Sequence, residues 1–253
     1  MKVDNNIKFI IFISIIISYI FLVKYNPRIK YKNNNMKKEV LFITKNKTNL
    51  FNSKDYWEKR YANGGNSGSG SYNNLAKFKA EIINNFINKY KINTVIEWGS
   101  GDCNQLSMIN YKQYIGYDVS KTAIEICKKK FFHDSTKKFI YLSENYNNHN
   151  KADLSISLDV IFHLLEDNVF KLYMKNLFNS SNKYVCIYSS NYDKIFAKHV
   201  KHRKFTNWVD KYVSKNWKLK EYVPNKFPFD PKKVILHRFL IFIFMKKLTE
   251  MIF

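Results

Sequence analysis

The sequence predicts an α/β fold: a doubly wound, mostly parallel seven-stranded sheet with an antiparallel last strand, preceded by an N-terminal transmembrane helix. Three observations carry this reading. Short apolar runs alternate with amphipathic stretches between Thr94 and Tyr188, the pattern of parallel strands joined by crossover helices. Two late apolar runs, Trp217–Val223 and Val234–Phe244, flank a loop from Pro224 to Lys233 and read as a terminal hairpin. Ahead of everything lies Phe9–Val23, a run without a single charge.

Extended back to Ile7, that run makes a helix of roughly 25 Å at about 1.5 Å per residue. It is short against a bilayer core of about 30 Å, with Lys8 and Lys24 placed to snorkel and Tyr19 and Tyr25 near the interface. A signal peptide is the main rival, but Val23-Lys24-Tyr25-Asn26-Pro27 lacks small residues for cleavage. A buried core helix is a weaker rival, because no polar face interrupts the run. Lys2 and Lys8 precede the run, and Lys24, Arg28, Lys30, Lys32, Lys37 and Lys38 follow it. The richer flank stays inside, which predicts a single-pass membrane protein with its domain facing the cytosol. The expected organisation is an anchor over 1–24, a basic Asn-rich tether over 25–53 able to cling to anionic headgroups, and a globular domain over 54–253.

Within the domain, Lys54–Tyr61 reads as a short helix that Asn52 or Ser53 can cap. The stretch Asn63–Ser71, with four glycines, cannot hold regular structure. Tyr72–Tyr90 is a second helix, with Leu75, Phe78, Ile82, Phe86 and Tyr90 on one stripe. Thr94–Glu97 is the first strand and Tyr114–Asp118 the second, with a short helix near Asn104–Ile109 between them. Ser120–Lys130 is a helix, Phe139–Leu142 and Leu154–Leu158 are strands, and Val169, Phe170, Tyr173, Met174 and Leu177 mark the next helix. Tyr184–Tyr188 is the fifth strand.

Composition bounds the rest. The chain has 253 residues, 45% hydrophobic and 17% aromatic, which excludes a wholly disordered protein. Its formal charge of +23 is concentrated at the two ends: net +8 over residues 1–53, +4 over 54–193 and +11 over 194–253. Such a field favours encounter with anionic partners without choosing among lipid, nucleotide and nucleic acid. Three cysteines, Cys103, Cys127 and Cys186, have neither a framework nor a zinc-finger spacing, so a reducing compartment and no metal are expected. All 7 glycines lie between Gly64 and Gly116.

In a doubly wound sheet, ligands sit beyond the carboxyl ends of the central strands. Glu97-Trp98-Gly99-Ser100-Gly101 occupies that place after the first strand, where glycines let backbone approach a ligand closely. Asp118 closes the second strand, placed to accept hydrogen bonds from the two hydroxyls of a ribose. A tight turn and a helix cap are the bland alternatives for these residues taken singly. The third glycine of a dinucleotide fingerprint is absent, since Asn104 stands there.

With an acid before Gly-x-Gly, an acid ending the next strand, and Ala152–Leu164 along the fourth, the chain resembles the class I, Rossmann-like, S-adenosylmethionine-dependent methyltransferases. A subgroup of these is similar also at Tyr56–Tyr61, Gly64–Tyr72 and His199–Trp208. The resemblance implies the strand order 3-2-1-4-5-7-6 and S-adenosyl-L-methionine as cofactor. It implies that Gly99, Ser100 and Gly101 wrap the methionine part above Glu97. Asp118 would hold the ribose, with Val119 beside the adenine. Trp57 and Tyr61, with the glycine loop, would close as a lid. Cys103 stands where a third glycine of the motif is usual.

Methyl transfer needs alignment, and a base only when the acceptor carries a proton to be lost. Asp159 would face the transfer site. His163 ranks first as base, and His199, His202 and Arg203 are candidates for gripping a phosphate or carboxylate of the substrate. No proline follows a cysteine or Asp159, so the resemblance does not extend to DNA cytosine-C5 or amino-methylating families. The expected activity is methyl transfer to O or N of a small-molecule or lipid-linked acceptor. A nucleic-acid methyltransferase and a non-catalytic nucleotide-binding or scaffold protein are the alternatives.

Overall fold

The computed structural model describes residues 51–143, 150–227 and 240–248. The expected anchor over 1–24 and most of the tether lie outside these residues. Among the described residues, no helix is long and apolar enough to cross a membrane.

The elements follow the expected alternation. Helix α1 (Ser53–Ala62) starts at Asn52, whose Oδ1 accepts the Asp55 N–H at 3.0 Å. Helix α2 (Asn73–Tyr90) is followed by β1 (Thr94–Trp98), β2 (Gln113–Asp118), α3 (Lys121–Lys130), β3 (Lys137–Tyr141) and β4 (Ala152–Leu158). Then come α4 (Asp167–Asn179), β5 (Ser181–Ser190), β6 (Lys194–Ala197), β7 (Val200–His202), α5 (Thr206–Tyr212), β8 (Trp217–Pro224) and β9 (Leu240–Lys247). The helix expected near Asn104–Ile109 is only a 3₁₀ turn, Leu106–Met108.

The main sheet has seven strands in the order β3-β2-β1-β4-β5-β9-β8. β1 to β5 pair in parallel, and β9 runs antiparallel between β5 and β8. The numbering departs from the expected 3-2-1-4-5-7-6 because β6 and β7 form a separate two-stranded antiparallel hairpin. Of the strand expected over Val234–Phe244, only its last five residues fall within described structure.

Side chains alternate across the central strands. Val95, Leu154 and Ile156 join Phe78, Ile83 and Phe86 of α2 in one cluster. Ile96, Trp98, Val185 and Ile187 join Phe170, Met174 and Leu177 of α4 in the other. Helices therefore cover both faces and bury most of β1, β4 and β5, while β3 at the sheet edge stays half-exposed. The stripe predicted for α2 holds at Leu75, Phe78 and Phe86 and is wider than expected: Ala76, Lys79, Ala80, Ile83 and Ile87 are buried as well, while Ile82 and Tyr90 are only partly covered.

The cysteines correct the sequence reading. Cys103 and Cys127 form a disulfide, and Cys186 is a buried free thiol. The tertiary fold lays α3 against the loop after β1, bringing Cα atoms 24 residues apart in sequence to 5.5 Å. That proximity has no signature in cysteine spacing.

Candidate active site

Beyond the carboxyl ends of β1, β2 and β4 lies a cavity of about 440 Å³, within the usual range for small-ligand sites. Trp57, Tyr61, Glu97, Gly99, Ser100, Gly101, Asp118, Val119, Asp159 and His163 all line it. Topology alone brings these separated residues together.

Its floor is acidic and dry. Glu97 is buried at the end of β1, where its Oε2 accepts the Tyr114 hydroxyl at 2.6 Å. Loss of water pushes its carboxyl up to about 7. Burial likewise raises Asp118 to about 6. Asp118 accepts the Gly101 N–H through Oδ2 and the Ser120 N–H through Oδ1, each at 2.9 Å. The Val119 N–H bonds to the same carboxylate, so of its roughly four lone-pair positions about one is left for a ligand hydroxyl.

The Gly-x-Gly turn is sterically obligatory. Gly99 has φ +86°, and a Cβ there would stand 2.5 Å from Val160 Cγ2. Gly101 has φ +56°, and a Cβ would press into Ser67 Oγ. Cys103 also sits at φ +59°, so the position where a third glycine is usual keeps the left-handed backbone without the glycine. The buried Ser100 Oγ has no hydrogen-bond partner among the described residues.

A roof closes over this turn. Ser67 N–H donates to Asp102 Oδ2 at 2.8 Å, and Asp102 N–H returns a bond to Ser67 Oγ at 3.0 Å. The Tyr72 hydroxyl donates to the same Asp102 oxygen at 2.8 Å, and Tyr61 Oη lies 2.9 Å from Ser67 Oγ. Asn104 Nδ2 donates to the Ser71 carbonyl at 2.7 Å. The glycine loop is thus clasped onto the Gly-x-Gly turn. At the other end of α1, Ser53 bonds through its N–H to Glu166 Oε1 at 2.9 Å and through its hydroxyl to Glu166 Oε2. The sequence reading missed Asp102, whose partner is 35 residues away.

The opposite wall holds Asp159 and His163. Asp159, at φ +61°, points Oδ2 at Lys79 Nζ, 2.5 Å away, while its buried Oδ1 has no partner among the described residues. Lys79 is fully buried in α2. His163 Nδ1 lies 2.9 Å from the His199 carbonyl. A carbonyl only accepts, so Nδ1 carries the hydrogen and Nε2 carries the lone pair. Burial lowers the imidazole to about 4, keeping it neutral at physiological pH. Trp57 meets this ring edge-on with centroids 4.9 Å apart.

Three expected substrate contacts do not line the cavity. His199 offers its carbonyl to His163 and stacks its ring on Tyr56. His202 is buried, with Nδ1 2.7 Å from Ser190 Oγ. Arg203 donates to the Leu164 and Leu165 carbonyls and pairs with Asp167 at 2.8 Å. Their run of charge anchors a hairpin rather than a ligand.

No protein-family model and no curated protein matches the chain. Solved structures do. The N-methyltransferase NodS from Bradyrhizobium japonicum, in complex with S-adenosyl-L-homocysteine, aligns at a TM-score of 0.59 and 10% identity, covering 79% of this chain and 100% of that one. The chain has the class I methyltransferase fold. Magnesium protoporphyrin IX methyltransferase from Synechocystis PCC 6803, with S-adenosylmethionine bound, shares this fold at a TM-score of 0.58 and 11% identity, covering 79% and 99% of the two chains. The methyltransferase domain of bacterial CtHen1-C aligns at 0.55 and 18% identity, covering 68% and 98%. In this methyltransferase fold, the cavity lies where the strand order reverses between β1 and β4, the switch point that favours ligands.

Proposed function

We propose that the chain is a membrane-tethered S-adenosylmethionine-dependent methyltransferase acting on O or N of a small-molecule or lipid-linked acceptor. The observation that carries this reading is the convergence of an obligatory Gly-x-Gly turn with two buried carboxylates and a neutral histidine on one cavity. The residues present fit an adenosyl sulfonium ligand. Asp118 keeps an acceptor position for a ribose hydroxyl, the Gly99 and Gly101 cradle admits backbone contact, and Ser100 Oγ lacks a partner among the described residues.

When bound, that cofactor supplies an activated methyl group on a good leaving group. Everything else is the protein's alignment of the reactants. Asp118 would hold the ribose side, Glu97 and the glycine turn the methionine side. The clasped loop, Tyr61 and Trp57 exclude water above them. His163 Nε2 is the basic atom at the wall and takes the acceptor's proton. A basicity near 4 suits an acceptor that sheds its proton as the new bond forms, not one ionised beforehand.

Calorimetry on the full chain tests the reading. S-adenosyl-L-homocysteine should bind wild type, and Asp118→Ala should weaken it by about ten- to a hundredfold, the worth of one hydrogen bond to a charged group. Unchanged affinity in Asp118→Ala refutes the pocket assignment. Incubation with methyl-labelled cofactor and fractionated cell extract should label a small-molecule or lipid fraction; label on nucleic acid alone refutes the acceptor class.

A further inference from the structure

The β6–β7 hairpin is the part of the domain that the cavity leaves unexplained. From Lys194 to Lys204 it carries five cations and no acid. Lys194, Lys198 and Lys204 are exposed. Between them stand Ile195, 76% exposed, and Phe196, 45% exposed. Exposed apolar side chains framed by cations match an anionic bilayer surface, where acyl chains receive the first and headgroups the second.

The hairpin's neighbours give it a direction. Residues 1–50, which hold the long uncharged run, lead into the domain at Phe51. The Phe51 ring lies 5.5 Å from Tyr56, which stacks at 5.0 Å on His199 in the turn of the hairpin. The first described residue of the domain thus belongs to the ring stack that reaches the turn of the hairpin. The hairpin is also fastened to the rim of the cavity. Asp167, at the start of α4, takes Lys201 and Arg203 at 2.8 Å each, and the same helix exposes Val169 and Leu172 beside the cavity.

We infer that the β6–β7 hairpin is an interfacial membrane contact: Ile195 and Phe196 dip into an anionic bilayer while Lys194, Lys198 and Lys204 hold its headgroups. Single-stranded nucleic acid, the other polyanion, would stack a base on Phe196 but offers no apolar phase for the aliphatic Ile195, the more exposed of the two. The direction argument rests on the proposed tether, but insertion of the hairpin does not require methyl transfer.

The test uses the full chain as Ile195→Cys, labelled with an environment-sensitive fluorophore. The label is selective because Cys103 and Cys127 are joined and Cys186 is buried. The protein is mixed with vesicles of phosphatidylcholine alone or with about 30% phosphatidylglycerol, and both flotation and emission are read. Flotation on pure phosphatidylcholine reports the tether separately from the hairpin. A blue-shifted emission on anionic vesicles, at least about tenfold weaker in its lipid dependence for Lys198→Glu/Lys204→Glu, supports the contact, since each cation near such a surface contributes severalfold. An emission that ignores anionic vesicles overturns it, whether or not the chain floats. So does an equal shift on both lipids, or a shift with a single-stranded oligonucleotide in place of vesicles.

Discussion

Lys79→Met removes the only buried lysine or arginine among the described residues. The methionine fills nearly the same volume, so the change isolates the charge. In the wild type, Nζ sits 2.5 Å from Asp159 Oδ2, with side chains 0% and 11% exposed. Deleting one partner of a buried pair costs about 3–5 kcal/mol, because the survivor keeps an uncompensated charge. Asp159 borders the cavity, where water reaches it, so the lower end applies: about 3 kcal/mol, or roughly 6–12 °C of Tm for a domain this size. Thermal unfolding of the full chain, followed by circular dichroism, reads this directly. Lys79→Met/Asp159→Asn should recover to within about 1 kcal/mol of wild type, since the unpaired charge is gone. A single variant within about 1 kcal/mol of wild type, or a double variant as unstable as the summed singles, would falsify the account of a coupled pair.

Burial raises Glu97 from 4.5 to about 7, so the folded state holds a proton that the unfolded chain releases. Its contribution is complete below about pH 4.5 and fades as pH rises through about 7; the Tm difference between wild type and Glu97→Gln should fall across that window. His163, lowered from 6.5 to about 4, has the opposite sign, and the wild-type advantage over His163→Gln should shrink as pH drops from 6.5 to 4. Flat differences contradict either assignment. Ser67→Ala removes the acceptor of the Asp102 N–H and the Tyr61 contact, and should speed cofactor release severalfold in stopped-flow; unchanged release means that the loop does not act as a roof. Reducing Cys103–Cys127, which spans 24 residues, should cost about 3 kcal/mol through loop entropy, and a melting curve indifferent to reductant counts against the cross-link in the isolated protein.

The central strands were legible because burial on both faces leaves mainly apolar or small residues, as in Ala152–Leu158 with its buried Ser155 and Ser157, and Glu97, Gly99, Gly101 and Asp118 stood out because they follow or close such strands. Lys79 was not: a lysine on an amphipathic helix reads as solvent-facing, and only the acid at Asp159, 80 residues on, turns it inward. The clasp between Ser67 and Asp102 and the Cys103–Cys127 bond share that character, being pairs that only the folded chain brings together. Lys194–Ala197 escaped notice as a strand because its cationic surroundings resemble an ordinary solvated face. Arg203 looked like a ligand grip for the converse reason, since charge alone does not disclose that two backbone carbonyls and Asp167 already occupy it.

Helix α1 is both the first element after the leading segment and a wall of the cavity, with Asn52, Ser53 and Trp57 on its lining. That wall is braced from two sides, by Ser53 on Glu166 at the start of α4 and by Glu58 on the Thr122 N–H and hydroxyl of α3. A chain cut at residue 54 would lose Asn52 and Ser53 from the cavity lining, and with Ser53 the bonds that hold α1 to Glu166.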